Sequence, residues 1–219
     1  MKAAIAALFA TTLLALAPGA QASTINIFST GVDAAGNVVA NGTPGDLHYT
    51  VTSWPAGAPI SIAALTSASG YPITAPYWMG DDTLSRWIGP AANDAVGPAG
   101  TYRYRTEFTL TADQLANASL TGMFATDDSA SILLNGVSKG IFATSMTTYA
   151  AYAINSGFVV GVNTLDFLVK NLSNDGFGGG PTGLRVQADA APAVVPEPAP
   201  LALFGVALLG LVASRRKVR

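Results

Sequence analysis

Hydrophobic positions fall into three regimes along this chain. Met1–Ala17 is almost uniformly apolar after Lys2 and shows no polar face. From Ser23 to Val194 the apolar residues come in short runs rich in Val, Ile, Thr, Tyr and Phe. Gly, Pro, Asn, Asp and Ser separate these runs every 8–12 residues, which predicts strands joined by turns. Leu201–Ala213 is again continuous, thirteen residues without a charge. Within the middle region, Tyr102, Tyr104, Thr106, Phe108 and Leu110 share one face by period two, and Arg103, Arg105 and Glu107 share the other. Such a strand belongs to a sheet with one covered face.

Applied along the middle region, the same reading predicts strands at Ile25–Ser29, Leu47–Thr52, Ser61–Leu65, Tyr102–Leu110, Leu120–Ala125, Ser131–Leu134, Thr147–Ile154, Thr164–Asn171 and Gly183–Ala188. Thr111 is placed to cap a helical turn that includes Asp113 and Gln114. Asn135-Gly136 supplies the two positive φ angles of a type I′ turn, so a hairpin should leave Ser131–Leu134 for Val137-Ser138. Many short antiparallel strands with few helices in one body predict an all-β fold, a jelly-roll-like antiparallel β-sandwich.

The two greasy ends need another explanation. Lys2, the apolar stretch, Pro18-Gly19 and Ala20-Gln21-Ala22 have the layout of a secretory signal peptide cleaved after Ala22. Residues 23–189 then form the body, and 190–200 an Ala/Pro-rich linker. As a helix, the thirteen uncharged residues reach roughly 20 Å against a hydrocarbon core of about 30 Å. The reading for 201–219 is a minimal single transmembrane helix with a basic tail held on the cytoplasmic side. It predicts export through the inner membrane, a transient single-pass state during sorting, and delivery to the cell surface or extracellular matrix.

Val195-Pro196-Glu197-Pro198, the short apolar run and Arg215-Arg216-Lys217 follow one another at the end of the chain. This tripartite arrangement resembles the PEP-CTERM sorting signal. The resemblance implies a bacterial envelope protein processed by an exosortase, a membrane-embedded cysteine transpeptidase, and an association with exopolysaccharide and biofilm. Pro196, Glu197, Pro198, Arg215 and Arg216 would be the sorting signal, as substrate residues with no chemistry of their own.

Composition narrows what the body can do. Between Ser23 and Val194 there are six basic and twelve acidic residues, a balance near −6. That excludes an electrostatic footprint for nucleic acid. Cysteine is absent, which removes thiol catalysis and thiolate metal sites. His48 is the single histidine, so histidine-based zinc sites are excluded by count, and no Gly-x-Ser-x-Gly elbow accompanies it. The Gly-rich stretch Asn174–Gly180 lacks the Lys-Ser/Thr of a phosphate loop and reads as a sheet-edge loop.

Two places retain candidate chemistry. Trp78, Asp81, Asp82 and Trp87 put two indoles and two carboxylates within ten residues, a set suited to stacking on sugar rings and accepting sugar hydroxyls on the functional reading, while on the plain reading both indoles are core or loop plugs. Asp127 and Asp128 are turn-capping residues on the plain reading and weak Ca²⁺ ligands on the functional one, with no EF-hand spacing to support a cation. Neither acidic pair forms a hydrolytic dyad alone, because neighbouring side chains in a strand or turn usually point apart, and no catalytic residue is assigned.

From Ser85-Arg86-Trp87-Ile88 through Gly100–Phe108, Phe124–Asp128, Leu134-Asn135-Gly136, Asn163–Phe167 and Pro181–Leu184, the order of motifs resembles the galactose-binding-like jelly-roll modules attached to some glycosidases. These motifs are mostly structural and carry no ligand position with them. The expectation is therefore a non-enzymatic exported protein of the polysaccharide matrix that binds glycans. The alternative is a structural or adhesive surface protein that binds none.

Overall fold

The computed structural model describes residues 25, 27–58, 64–65, 77–91, 97–173 and 178–189. The expected signal peptide, the linker, the sorting signal and the tail lie outside these residues. The strands in chain order are β1 (Thr50–Ser53), β2 (Ala64–Leu65), β3 (Ile88–Gly89), β4 (Gly100–Leu110), β5 (Leu120–Asp127), β6 (Ser129–Leu134), β7 (Val137–Ala143), β8 (Ala150–Ile154), β9 (Gly161–Asn171) and β10 (Gly183–Ala188). One helix, α1 (Ala112–Leu115), follows β4. Two five-stranded sheets result, β1-β4-β9-β6-β7 and β2-β3-β10-β5-β8. The pairings are antiparallel. From β4 onward the chain changes sheet at each connection except the β6–β7 hairpin, as a jelly roll does.

Alternation along β4 builds the sandwich. Tyr102 and Tyr104 point inward, joined by Leu165, Phe167 and Val169 of β9 and by Ile132 and Leu134 of β6. The second sheet answers with Leu120, Phe124, Tyr152, Leu184 and Val186. Phe124 meets Phe167 edge to face across the interface, ring centroids 5.5 Å apart. Burying each such side chain contributes about 1.5–3 kcal/mol. The β4–β9 ladder runs in register for eleven pairs, from Gly100↔Asn171 to Leu110↔Gly161.

Local signals act as their chemistry dictates. Thr111 and Gln114 form a capping box at α1: the Thr111 hydroxyl accepts from Gln114 N, and the Gln114 side-chain Oε1 accepts from Thr111 N. Asn135 (φ 52°) and Gly136 (φ 79°) turn the β6–β7 hairpin. Other strands are shorter than the apolar runs that announce them. Leu47–Thr52 yields a strand only from Thr50, because the Asp46 carboxylate accepts the N–H groups of His48 and Tyr49 and holds them in a turn. Thr147–Ile154 begins at Ala150, because the Ser145 hydroxyl accepts from the Thr147 and Thr148 amides. Ile25 and Ile27 are core residues, but no strand is assigned to the described part of Ile25–Ser29.

The expected C-terminal transmembrane helix needs correction, and with it the transient single-pass state. Among the described residues no helix is long and apolar enough to cross a membrane. Residues 201–219 are not among them. The physical difficulty is already in the length: roughly 20 Å of uncharged helix does not match a hydrocarbon core of about 30 Å.

Candidate functional site

Residues 77–87 fold back over the outer face of the second sheet. Trp78 and Trp87 pack against each other there, ring centroids 4.4 Å apart, with Ala125 beneath and Met79, Met146 and Tyr149 around them. Trp78 is 3% exposed and Trp87 1%. The Trp87 indole N–H donates to the Met79 carbonyl at 3.0 Å. Neither ring presents a face to a sugar. Gly183 makes room for the plug, since a β-carbon there would lie 2.7 Å from the Trp78 ring.

Arg185 of β10 pins this cover from below. Its side chain is fully buried, with Nε donating to Ser85 Oγ (2.8 Å), Nη1 to Gly80 O (2.7 Å) and Nη2 to Ser85 O (3.1 Å). Nη2 also lies 2.8 Å from Asp82 Oδ2, and the guanidinium carbon is 5.7 Å from the Tyr149 ring centre. The other oxygen of Asp82 accepts from the Leu84 and Ser85 amides. Asp81 accepts from Asn41 Nδ2 at 2.6 Å. The four residues expected to bind glycan are thus brought together, in a fastening in which both indoles are inaccessible.

Asp127 and Asp128 close one end of the sandwich. Asp127 is 5% exposed. Burial first, then the neighbouring Asp128 charge and a hydrogen bond to it, push the Asp127 carboxyl up to about 7, while a hydrogen bond from Trp78 opposes the rise. The two carboxyls therefore do interact, contrary to the rule that adjacent side chains diverge. Asp128 Oδ2 accepts from Leu172 N at 2.6 Å. Beside them, buried Asn171 donates to the carbonyls of Gly97 (3.0 Å), Pro98 (3.3 Å) and Gly180 (3.0 Å), tying two loops together. Among the described residues no three His, Cys, Asp or Glu side chains gather to hold a metal.

His48 is half-buried. Its ring lies flat on Phe28, centroids 3.7 Å apart, with Nε2 3.0 Å from the Asp33 carbonyl oxygen. This is a packing role, with no nucleophile in contact.

The outer face of the first sheet is different, because it is polar and open. Cross-strand register sets out its rows: Thr50, Arg105, Asp166 and Leu133; then Arg103, Leu168, Ser131 and Phe142; then Thr101, Lys170 and Ser129. Asp166 has no side-chain exposure and is gripped by Arg105 at both oxygens, Nε–Oδ1 2.7 Å and Nη2–Oδ2 2.9 Å. That bidentate geometry is the strong form of the contact. A cleft of about 750 Å³ lies at the β1 side of this face, lined by Phe28, His48, Thr50, Thr52, Arg105 and Glu107. A shallower depression of about 420 Å³ lies at the opposite side, lined by Thr101, Ser129, Ser131, Phe142, Leu168 and Lys170. Alternation predicts Arg103, Arg105 and Glu107 on one face. The signal for their buried partner is Asp166, at an outward position between Leu165 and Phe167.

Comparison with known proteins adds one firm result. Residues 194–217 match the PEP-CTERM protein-sorting motif, so the chain carries that signal. No curated protein matches the sequence. Among solved structures, one described as "CBM35 from Cellvibrio japonicus Abf62" aligns over 66% of this chain and 94% of its own, at 13% identity and a TM-score of 0.28. At that score no site or ligand passes from one backbone to the other.

Proposed function

We propose that this PEP-CTERM-bearing chain is an exported extracellular protein, sorted by an exosortase, whose β-sandwich binds polysaccharide of the surrounding matrix without chemically altering it. The observation that carries the reading is the sorting motif at 194–217, placed beyond a sandwich body. Support for the glycan part comes from the first sheet, whose outer face combines hydroxyls, the Arg105 guanidinium, the Lys170 ammonium and an exposed aromatic ring in open depressions. Sugar recognition uses that mixture: polar groups fix the hydroxyls and an apolar surface meets the ring. No catalytic role is assigned to the interacting Asp127 and Asp128 carboxyls, because Asp127 is enclosed.

Two measurements test this. Mass spectrometry of the mature protein should find a C-terminus near Val195–Pro198, and an intact Arg219 on the exported protein would contradict exosortase processing. The exported protein should also be retained on exopolysaccharide from the producing cells, and failure to bind it or any glycan on an array would remove the binding function.

A second reading is favoured by a different observation. Val137 and Phe142 are exposed on β7, Val159 and Val160 just before β9, and Val162 at its start. β7 is also an edge strand. These features suit a structural or adhesive protein that self-associates. Concentration-dependent oligomers in light scattering, formed without sugar, would favour it over glycan binding.

A further inference from the structure

We propose that Asn41 is a deamidation site, and that its conversion to a carboxylate unties the rim of the Trp78–Trp87 cover. The inference does not depend on what the body binds. Asn-Gly is the dipeptide most open to this chemistry, because glycine puts no side chain in the way of the attacking backbone nitrogen. The sequence holds two, Asn41-Gly42 and Asn135-Gly136. The fold treats them differently.

The reaction needs only water. The Gly42 amide nitrogen gives up its proton to base and attacks Asn41 Cγ. The new nitrogen–carbon bond closes a cyclic imide, and Nδ2 takes a proton and leaves as ammonia. Water then opens the imide at one of its two carbonyls. Breaking the new bond gives Asp at position 41. Breaking the old peptide bond instead routes the main chain through the side chain, as isoaspartate. Either product has exchanged an amide for a carboxyl.

To cyclise, the side chain must swing over its own C-terminal peptide, so whatever holds the amide slows the reaction. Asn135 is held at both ends. Its Nδ2 donates to Gly157 O (3.0 Å) and Asn163 Oδ1 (2.9 Å), and its Oδ1 accepts from Thr164 N (2.9 Å). Its backbone N–H also donates to Thr164 O at 2.9 Å. Asn41 is exposed, and its amide makes one hydrogen bond among the described residues, from Nδ2 to Asp81 Oδ2 at 2.6 Å. Its turn is closed by Thr43, whose N–H and hydroxyl reach Ala40 O at 3.2 and 2.7 Å. Water can replace the exposed Asp81 contact. The bonds of Asn135 to Asn163 and Thr164 are partly buried and must be broken outright. In the folded protein Asn41 should therefore react about tenfold faster than Asn135, or more.

The Asp81 contact also gives the reaction its consequence. Asn41 ties its turn to the rim of the cover, whereas Arg185 grips the cover from beneath through Gly80, Asp82 and Ser85. After conversion a carboxylate faces the Asp81 carboxylate where a donor stood, and like charges at that distance repel. Arg86 Nε, 3.9 Å from Asp81 Oδ2, is one cation against two anions. The rim lifts while the grip beneath it stays.

The test is peptide mapping by mass spectrometry of the exported protein, aged in mildly alkaline buffer made with heavy-oxygen water so that sites converted before digestion are marked. Residue 41 should take up the label about tenfold faster than residue 135, or more. In urea, where the fold protects neither, the two rates should converge. Equal labelling of the native protein at both residues would overturn the site, and a ratio unchanged by urea would overturn its structural ground. Amide hydrogen exchange of Asn41→Asp reads the consequence. Exchange across Gly80–Leu84 should quicken about two- to fivefold, the range of an exposed polar pair. The Arg86 amide, which donates to Thr30 O at 2.8 Å, should be unchanged. Asn41→Gln, which keeps an amide and cyclises far more slowly, should exchange like the parent. Parent-like exchange across Gly80–Leu84 in Asn41→Asp would overturn the untying of the rim.

Discussion

Replacing Arg185 with Met tests whether the cover over the second sheet is fastened from beneath. Met is close in length and apolar, so it fills the space while removing every polar contact. Four hydrogen-bonded or ionic contacts go, to Ser85 Oγ, Gly80 O, Ser85 O and Asp82, and with them the guanidinium over the Tyr149 ring. Their losses are unequal. Asp82 keeps 39% side-chain exposure and can rehydrate, so its share is at most about 1 kcal/mol. Gly80 is exposed and its carbonyl finds water. Ser85 is fully buried; its hydroxyl keeps the Tyr149 hydroxyl at 3.2 Å and its carbonyl a long contact from Arg86 Nη1 at 3.4 Å, so neither is orphaned, but each loses a charged donor at about 1.5–3 kcal/mol. Relief from desolvating a guanidinium offsets part of this. The expected net loss is about 2–4 kcal/mol. With a urea dependence of roughly 2 kcal/mol per molar, the unfolding midpoint should fall by about 1–2 M. The assay has its own reporter, since Trp78 and Trp87 sit in the cover while Trp54 is 47% exposed. Indole emission should shift to the red and acrylamide quenching should rise before global unfolding. Asp82→Asn should do much less. A midpoint within ~0.3 M of the parent, with emission unchanged, would refute the claim that Arg185 fastens the cover.

Other outcomes follow from the same geometry. Because the fold raises the Asp127 carboxyl to about 7 from an ordinary 3.8, the folded state holds its proton more tightly than the unfolded chain. Stability should therefore decline as pH rises from about 4 to about 7 and level off above that. Asp127→Asn should remove this decline, melting higher than the parent at pH 8 and about equally at pH 4, and parallel melting curves across pH would count against it. Gly179→Ala places a β-carbon within the van der Waals shell of the Gly97 carbonyl oxygen and 2.8 Å from Ala99 N, so backbone must move. It should cost about 3 kcal/mol or more by thermal denaturation. Gly136→Ala meets nothing within 4 Å and bears only the penalty of positive φ, about 1–2 kcal/mol. Equal losses at the two glycines would contradict this contrast.

Much of the sandwich was legible because the governing physics is local. The alternation Tyr102–Leu110 announces β4, Asn135-Gly136 announces the β6–β7 hairpin, and Thr111 with Gln114 announces α1. The inner faces then meet because both are apolar. What was not legible depends on segments far apart in sequence. Trp78 and Trp87 sit among polar residues, which leaves the plug and the sugar-stacking readings both open, and the choice falls to Arg185, about a hundred positions later, which supplies the polar partners that let the loop lie down. Arg185 itself occupies an outward position between Leu184 and Val186, where a solvated cation is the natural reading. β7 escapes beyond its first two residues because an edge strand exposes much of both faces, which blurs the period-two signal. The Asp166–Arg105 pair needs the β4–β9 register, which no single strand encodes. The same limitation applies to the polar face: each strand shows its own outward residues, and only pairing assembles them into rows.

The position of β10 carries a consequence for how the chain comes to be folded at all. Among the described residues it is the last strand in sequence, yet it lies at the centre of the second sheet, between β3 and β5. Until residues 183–188 arrive, β2 and β3 have no ladder to join, the inner face of the first sheet lacks Leu184 and Val186, and the Trp78–Trp87 cover has no Arg185 to grip. A chain delivered N-terminus first must wait, incompletely closed, for its final strand. Non-local pairing of this kind folds slowly and leaves edges exposed meanwhile. The strand that completes the sandwich ends at Ala188, six residues before the sorting motif begins at residue 194. For a chain sorted as proposed above, closure of the body and presentation of the sorting segment would be neighbouring events in time, so a sorting enzyme acting promptly would meet a body that has only just become whole.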